Sequence, residues 1–270
     1  MPTLTMSAFL VPKRYGMLIN TMTVFLMISV IIIGSLVSLA GGALLLRAKK
    51  QRQAALLLTL PFGAGALLAA AFFDLLPESF EEAEPKAMLL YCLAGFIFFF
   101  LFERLASWFH HHHQHDEKEN AHGSQRWLII LGDITHNAID GMAIGVAFLV
   151  SVPTGIITTF AVATHEIPKE LGTFAFLLSR GWKGKTVIIA NLLTAIATII
   201  AAVVVYVLAA DSHEFVPALL ALTSGFFLYI AASDIIPDIH EQPRKVGTIQ
   251  ALMLVIGVVL VGAVITLLGV

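Results

Sequence analysis

Two stretches of the chain place ionisable side chains inside long apolar segments. The first contains His136 and Asp140, and the second contains His165, Lys169 and Glu170. A charged group at bilayer depth costs a few kcal/mol or more, so such residues usually serve a binding site or an ion pathway. The four-residue spacing puts His136 and Asp140 on one helix face, and likewise His165 and Lys169. Imidazole and carboxylate groups on facing helices predict a divalent-metal site, in which Lys169 is the unexpected cation.

The composition of the chain indicates an all-α integral membrane protein. Hydrophobic residues make up 58% of the sequence and charged residues only 13%, whereas soluble domains carry about 25% charged residues. The apolar residues come in blocks of about 20, which is enough to cross the hydrocarbon core as a helix. The first block is too long for a cleavable signal and is expected to span the membrane. The single cysteine, Cys92, excludes an intrachain disulfide framework and a multi-thiolate metal site.

The apolar blocks predict eight transmembrane helices. We expect an N-terminal tail over residues 1–19, spans 1–3 within 20–109, a His-rich cytoplasmic loop over 110–126, spans 4–5 within 127–179, and spans 6–8 within 185–270. The predicted spans are roughly 20–46, 54–77, 87–108, 127–151, 154–179, 185–209, 215–239 and 246–269.

The basic residues predict the orientation of the chain. Each odd-numbered loop between spans holds at least two Lys or Arg residues, and each even-numbered loop holds one or none. Because cytoplasmic loops carry the excess of Lys and Arg, both termini are expected on the extracytoplasmic side. Lys13 and Arg14 in the N-terminal tail favour the opposite orientation. We expect a multi-pass protein of the plasma (inner) membrane.

Two similar motifs predict an internal repeat. Span 2 ends in Asp74-Leu-Leu-Pro-Glu78 and span 7 ends in Asp234-Ile-Ile-Pro-Asp238. The two spans run in opposite directions, so the pattern predicts an inverted repeat of spans 1–3 and 6–8 around a central span 4/5 pair. We expect Asp74 and Glu78 to relay incoming metal; plain charges at a helix end are the alternative. The residues expected to relay departing metal are Asp234, Asp238, His240 and Glu241.

The two central motifs are predicted to lie at the same depth. His136 is about ten residues into span 4, or about 15 Å at about 1.5 Å per residue, and His165 is about eleven residues into span 5 from the opposite side. Neutral imidazole and carboxylate ligands suit zinc, and also iron, manganese and cadmium. Gly141 and Gly145 should let a neighbouring backbone come close to span 4. One helix turn before His136, Asp133 either orients the imidazole or is an ordinary charge at the inner end of the span.

These motifs resemble those of a known family. Gly132-Asp-Ile-Thr-His136-Asn-Ala-Ile-Asp140-Gly and His165-Glu-Ile-Pro-Lys-Glu170 are similar to the span 4 and span 5 signatures of the ZIP (Zrt/Irt-like protein) metal transporters. The resemblance covers nearly the whole chain, including the His-rich loop and the Leu-Leu-Pro-Glu of span 2. It implies transport of divalent metal into the cytosol by an elevator-like or rocking motion. It also implies the bilayer and metal ions as partners, no organic cofactor, no nucleic acid, and a homodimer as one assembly to test.

The resemblance also assigns residues by position. It implies that His136, Asp140 and His165 are ligands of the main transport site. Asn137 and Glu166 match positions that hold a second metal in two-metal members.

Lys169 departs from the family pattern. Position 169 is normally His or Glu and bridges two ions, but a protonated ammonium offers only donors. We hypothesise that Lys169 fills the second site as a built-in cation, paired with Glu166 or Glu170, and that the main site is mononuclear. The alternative is a neutral lysine that responds to proton or metal binding.

A histidine tract follows span 3. Such tracts bind metal weakly, so we predict cytosolic metal buffering or sensing; a flexible linker with no essential role is the alternative. The tract consists of His110, His111, His112, His113 and His115.

Two other functions compete with metal transport. An intramembrane metalloenzyme would need a second His four residues after His165, where Lys169 stands. A proton-coupled ion exchanger would pair Lys169 with Asp140 and bind no metal. The leading prediction is a transporter rather than an enzyme, with zinc ahead of iron, manganese and cadmium.

Overall fold

The computed structural model describes residues 21–47, 49–112, 121–179, 181–210 and 212–268, which form helices and short connections without a β-strand. A π-helical segment (Ala71–Leu75) joins α2 to α3, and a second (Ile230–Ile235) joins α8 to α9. The described residues therefore form eight continuous helical rods. The α-helices are α1 (Thr21–Arg47), α2 (Lys49–Ala70), α3 (Leu76–Glu82), α4 (Pro85–His112), α5 (Ala121–Val150), α6 (Val152–Ser179), α7 (Gly184–Ala209), α8 (Val216–Tyr229), α9 (Ile236–Glu241) and α10 (Arg244–Leu268).

Six of the described rods are long and apolar enough to cross a membrane, which makes the chain a multi-pass membrane protein. They correspond in position to predicted spans 1–3 and 6–8. Helices α5 and α6 have 30 and 28 residues and carry the ionisable residues of the two central motifs. The six stretches are Thr21–Ala40, Leu57–Glu81, Pro85–Leu105, Gly184–Ala209, Val216–Glu241 and Arg244–Leu268.

Several helices extend beyond the apolar blocks that predicted them. Helix α2 begins at Lys49 rather than near residue 54, and α5 begins at Ala121 rather than near residue 127. Helix α4 continues to His112, so helical backbone reaches into the predicted loop from both sides. Lys, Arg, Gln and Ala favour helices, so the end of an apolar block does not end the helix. His113 and His115 lie outside the described residues, and metal buffering by the tract stays a prediction.

Helices α5 and α6 form the centre of the bundle. They pack against each other across a short connection at Ser151, with α7 along α5 and α1 along α6. A Cβ atom on Gly141 would collide with the carbonyl of Thr198 on α7, and one on Gly145 with the carbonyl of Ala202. The predicted close backbone approach at these two glycines is confirmed.

Two outer helix pairs make corresponding glycine contacts. Helix α2 packs on α10, and α4 packs on α8. A Cβ atom on Gly65 of α2 would collide with the carbonyl of Leu254, and one on Gly225 of α8 with the carbonyl of Cys92. Gly65 and Gly225 each lie nine residues before the aspartate of their own Asp-apolar-apolar-Pro motif. Equivalent positions in the two motif-bearing rods therefore touch their neighbours in equivalent ways.

The same two motifs share an unusual backbone. The N–H of Leu76 bonds to the carbonyl of Ala71, and the N–H of Ile236 bonds to the carbonyl of Ala231. Both bonds span five residues, as in a π-helix. The proline of each motif follows one residue later. Because proline lacks an N–H and crowds the preceding turn, a wider turn allows each rod to continue through it.

Candidate metal site

Four side chains from the two central helices converge. We call His136 and Asp140 of α5, together with His165 and Glu166 of α6, the central ligand group. One ligand atom from each of these four residues lies within 4.8 Å of the ligand atoms of the other three. The two Nε2 atoms are 3.4 Å apart, and Oδ2 of Asp140 lies 3.6 Å from each of them. Oε1 of Glu166 lies 3.6 Å from Nε2 of His136 and 3.9 Å from Nε2 of His165.

Five of the six separations among the four donor atoms, from 3.4 to 3.9 Å, suit a tetrahedral ion. A regular tetrahedron with edges of about 3.6 Å has its centre about 2.2 Å from each corner, close to the zinc–nitrogen and zinc–oxygen bonds of about 2.0–2.2 Å found in proteins. The two nitrogens and two oxygens of the central ligand group could therefore hold one such ion with only small movements of the side chains.

The electrostatics of the group also favour a cation. Asp140 is fully buried, and neither of its carboxylate oxygens has a hydrogen-bond partner within the described part of the chain. A buried carboxylate without a hydrogen bond is costly, even with two imidazoles 3.6 Å away, and a bound cation would offset that cost. Nδ1 of His165 lies 3.4 Å from the carbonyl of Ala161. A proton on that nitrogen leaves Nε2 free as a ligand, which is how metal-binding histidines are usually oriented.

Lys169 forms an ion pair at the edge of the group. Its Nζ donates a hydrogen bond of 2.8 Å to Oε1 of Glu166 and lies 3.8 Å from Oδ1 of Asp133. Glu166 was one of the two predicted partners, and Asp133 was not foreseen in this role. The family resemblance predicts Glu166 at a second metal, whereas the structure brings it into the central ligand group.

Glu170 points to a different neighbour. The hydroxyl of Ser38 on α1 donates a hydrogen bond of 2.8 Å to Oε2 of Glu170. Both residues line a small cavity, together with Asn137 and Glu166. Asn137 is thus buried beside the central ligand group. The role of Ser38 could not be predicted from the sequence, because a single serine in an apolar span is common.

On the predicted outer side, Asp74 is buried at 2% exposure. It accepts a hydrogen bond from the hydroxyl of Thr154, in the first turn of α6, while its Oδ2 has no such partner among the described residues. Glu78 is half-buried. Neither residue belongs to the central ligand group.

On the predicted inner side, Asp238, His240 and Glu241 are exposed on α9. The side chain of Asp234 lies outside the described part of the structure. Asp238, His240 and Glu241 do not belong to the central ligand group, and the relay role of all four residues stays a prediction.

Comparison with known proteins identifies the family. A family model for ZIP zinc transporters matches residues 21–126 and 110–265, which together cover most of the chain. The chain belongs to the ZIP family. The resemblance predicted from the two central motifs is thereby confirmed.

Several ZIP relatives align with part of the chain. It is 37% identical over 131 residues to the zinc transporter foi of Drosophila melanogaster, which covers 48% of this chain and 18% of that protein. It is 39% identical over 123 residues to the human zinc transporter ZIP10, and the alignment covers 46% of this chain and 15% of that protein. It is 40% identical over 119 residues to the metal cation symporter ZIP14 of Mus musculus, and the alignment covers 44% of this chain and 24% of that protein. The chain thus spans less than a quarter of the length of each of these relatives.

Proposed function

We propose that this ZIP protein carries divalent transition-metal ions into the cytosol, zinc first and also iron, manganese and cadmium. The ion would bind to His136, Asp140, His165 and Glu166. The observation that carries the proposal is the convergence of these four donors, at near-tetrahedral spacing, between two buried helices. The named relatives, which are zinc transporters and a metal cation symporter, support the same class of cargo.

The proposed topology has eight spans and places both termini outside the plasma (inner) membrane. Spans 1–3 and 6–8 would form an inverted repeat around α5 and α6. The repeat is supported by the two π-helical segments at matching motifs and by the equivalent contacts of Gly65 and Gly225. The alternation of basic loops supports the orientation.

We propose that the site holds a single metal ion because Lys169 takes the place of the second. Its ammonium lies 2.8 Å from Glu166 and 3.8 Å from Asp133, and Glu166 in turn lines the cavity together with Asn137 and Glu170. Pairing with Glu166 and Asp133, rather than with Asp140, favours this role over the proton-coupled exchanger. The exchanger and the intramembrane metalloenzyme remain the competing functions, and the transport experiment below separates them from the proposal.

The remaining polar residues are proposed to act outside the central ligand group. Asp74 and Glu78 would receive metal on the outer side, and Glu170 would modulate the site through Ser38. A homodimer stays a prediction. The residues proposed to release or buffer metal on the cytosolic side are Asp234, Asp238, His240 and Glu241, followed by His110, His111, His112, His113 and His115.

Uptake of radiolabelled zinc into proteoliposomes tests the proposal. The wild-type protein should take up zinc, and His136→Ala should abolish both uptake and stoichiometric zinc binding. His240→Ala is the matched control for binding, because His240 is exposed on α9 and its loss should leave the zinc stoichiometry unchanged. Zinc uptake by His136→Ala at the wild-type rate would contradict the proposed site. Proton exchange without metal would instead support the exchanger, and zinc binding without zinc uptake would support the metalloenzyme.

A further inference from the structure

An aromatic side chain from another helix contacts the central ligand group. The ring of Phe99 on α4 meets the imidazole of His136 edge to face, with centroids 5.8 Å apart and an interplanar angle of 88°. The other ring partner described for His136 is His165, within the group, at 5.7 Å. Phe99 therefore connects the group, which is built entirely from α5 and α6, to the neighbouring α4/α8 pair.

Phe99 is itself held firmly. It is buried at 4% exposure, and its ring lies 5.4 Å from Tyr229 and 5.9 Å from Phe226, both at the end of α8 nearest the second π-helical segment. The backbones of α4 and α8 touch where Gly225 meets the carbonyl of Cys92. Because the Phe99 ring packs closely against other buried rings, its position is restricted and it cannot easily adapt to a movement of its neighbours.

The two histidines of the group are oriented by different means. His165 is 3% exposed and is oriented through Nδ1 by the carbonyl of Ala161. The His136 side chain is 16% exposed, and the aromatic ring of Phe99 packs against its imidazole. Rotation of an imidazole about its terminal torsion is only weakly restricted by its own bonds. The packing of Phe99 consequently limits where Nε2 of His136 can lie.

We propose that Phe99 is a positioning residue for the metal site. It holds the His136 imidazole so that the four donors keep tetrahedral spacing. That spacing favours ions that accept four ligands, such as zinc and cobalt(II), over manganese, which prefers six mainly oxygen ligands. Phe99 would in this way contribute to metal selectivity. The inference rests on the proposed function, since it assumes that the central ligand group binds the transported ion.

Cobalt(II) titration of the purified protein, followed by visible absorption, tests the proposal. Four-coordinate cobalt(II) absorbs far more strongly than six-coordinate cobalt(II), so the spectrum reports the geometry of the site directly. Phe99→Leu removes the ring but keeps an apolar side chain, and should weaken cobalt binding by about three- to tenfold and reduce the band intensity per bound ion. Phe99→Tyr keeps the ring and should restore both.

Phe98→Leu is the matched control. Phe98 is the neighbouring residue on α4, 54% exposed, and its described ring contact is with Phe226. This variant should bind cobalt with the wild-type spectrum. In proteoliposomes, zinc uptake in the presence of competing manganese should fall in Phe99→Leu and stay unchanged in Phe98→Leu.

The outcomes separate the inference from the proposed function. If wild-type protein shows no cobalt site that zinc can displace, the proposed function fails and the inference falls with it. If wild-type protein binds cobalt and Phe99→Leu shows the same affinity and spectrum, only the inference is overturned. Equal changes in Phe98→Leu and Phe99→Leu would also overturn it, because they would show a general effect of loosening α4.

Discussion

The ammonium of Lys169 and the carboxylate of Glu166 are joined by a hydrogen bond of 2.8 Å. The oxygen that accepts it, Oε1, is the same one that faces the two imidazoles of the central ligand group. A metal ion bound in the central ligand group and the ammonium of Lys169 would therefore both interact with Oε1 of Glu166. Because an ionised carboxylate oxygen can accept more than one partner, the two cations can be bound together, and each affects how strongly the other is held.

Lys169→Glu should increase the number of bound metal ions. The substitution replaces a cation with a carboxylate beside Glu166, which lines a cavity together with Asn137, and so supplies oxygen ligands for a second ion. Elemental analysis of the purified protein should show a rise from about one zinc ion per chain to about two.

Lys169→Gln is the control for this experiment, because it removes the positive charge without adding a carboxylate ligand. It should keep the stoichiometry of the wild-type protein. An unchanged stoichiometry in Lys169→Glu would disprove the view that the lysine occupies the place of a second metal.

Asp140→Asn should separate the stability of the empty protein from metal binding. The carboxylate of Asp140 is fully buried and has no hydrogen-bond donor in the described part of the structure. Its neutralisation should leave the metal-free protein as stable as the wild type or more so. The variant should also lose the stabilisation that zinc gives, about 2.7 kcal/mol at a hundredfold excess over the dissociation constant.

Thermal unfolding with and without zinc measures both effects. Glu214→Gln is the matched control, since Glu214 is exposed and lies outside the proposed metal pathway, so its neutralisation should preserve the zinc-induced shift. A full zinc-induced shift in Asp140→Asn would rule out Asp140 as a ligand.

Gly141→Ala should destabilise the protein through the contact between α5 and α7. The added Cβ would collide with the carbonyl of Thr198, and overpacking of this kind costs about 1–3 kcal/mol. Gly132→Ala, on the same helix, meets no atom within 4 Å and should raise stability by roughly 0.5–1 kcal/mol. Thermal unfolding in one detergent should place the two variants on opposite sides of the wild type. Equal midpoints would contradict the described helix contact.

Ser38→Ala should weaken the connection between α1 and α6. The buried hydrogen bond from Ser38 to Glu170 is 2.8 Å long, and loss of such a donor to a carboxyl group costs about 1–3 kcal/mol. A double-mutant cycle with Glu170→Ala should give a coupling energy above about 0.5 kcal/mol. In the control Ser29→Ala, the lost hydroxyl donates to the carbonyl of Phe25 in its own helix, and the change should be close to neutral. Additive effects of Ser38→Ala and Glu170→Ala would show that the two side chains do not interact.

The sequence could predict the helices and the candidate metal ligands that the structure brings together for a physical reason. A bilayer requires apolar blocks of a set length, so the block pattern locates the rods even though it misses helix ends such as Lys49 and Ala121. Ionisable residues inside such blocks stand out, which is why His136, Asp140 and His165 were identified at once.

The sequence could not predict the contacts that depend on how the helices are rotated and packed. The Ser38–Glu170 hydrogen bond joins residues 132 positions apart, and neither residue type indicates the other. The pairing of Lys169 with Asp133 and the contact of Phe99 with His136 likewise join different helices. Phe99 in particular lies in a run of phenylalanines, where only the structure separates the buried ring from its exposed neighbours.

The π-helical segments set the rotational phase of the rods that contain them. Each residue of an α-helix rotates the chain by about 100° about the helix axis. Deletion of one residue from Ala71–Leu75 would therefore rotate all the following residues of the rod by about that angle. Leu76 and Ser79, now buried, would be carried towards the lipid, and exposed side chains would be driven inward. In these two segments the number of residues is therefore constrained more tightly than their identity.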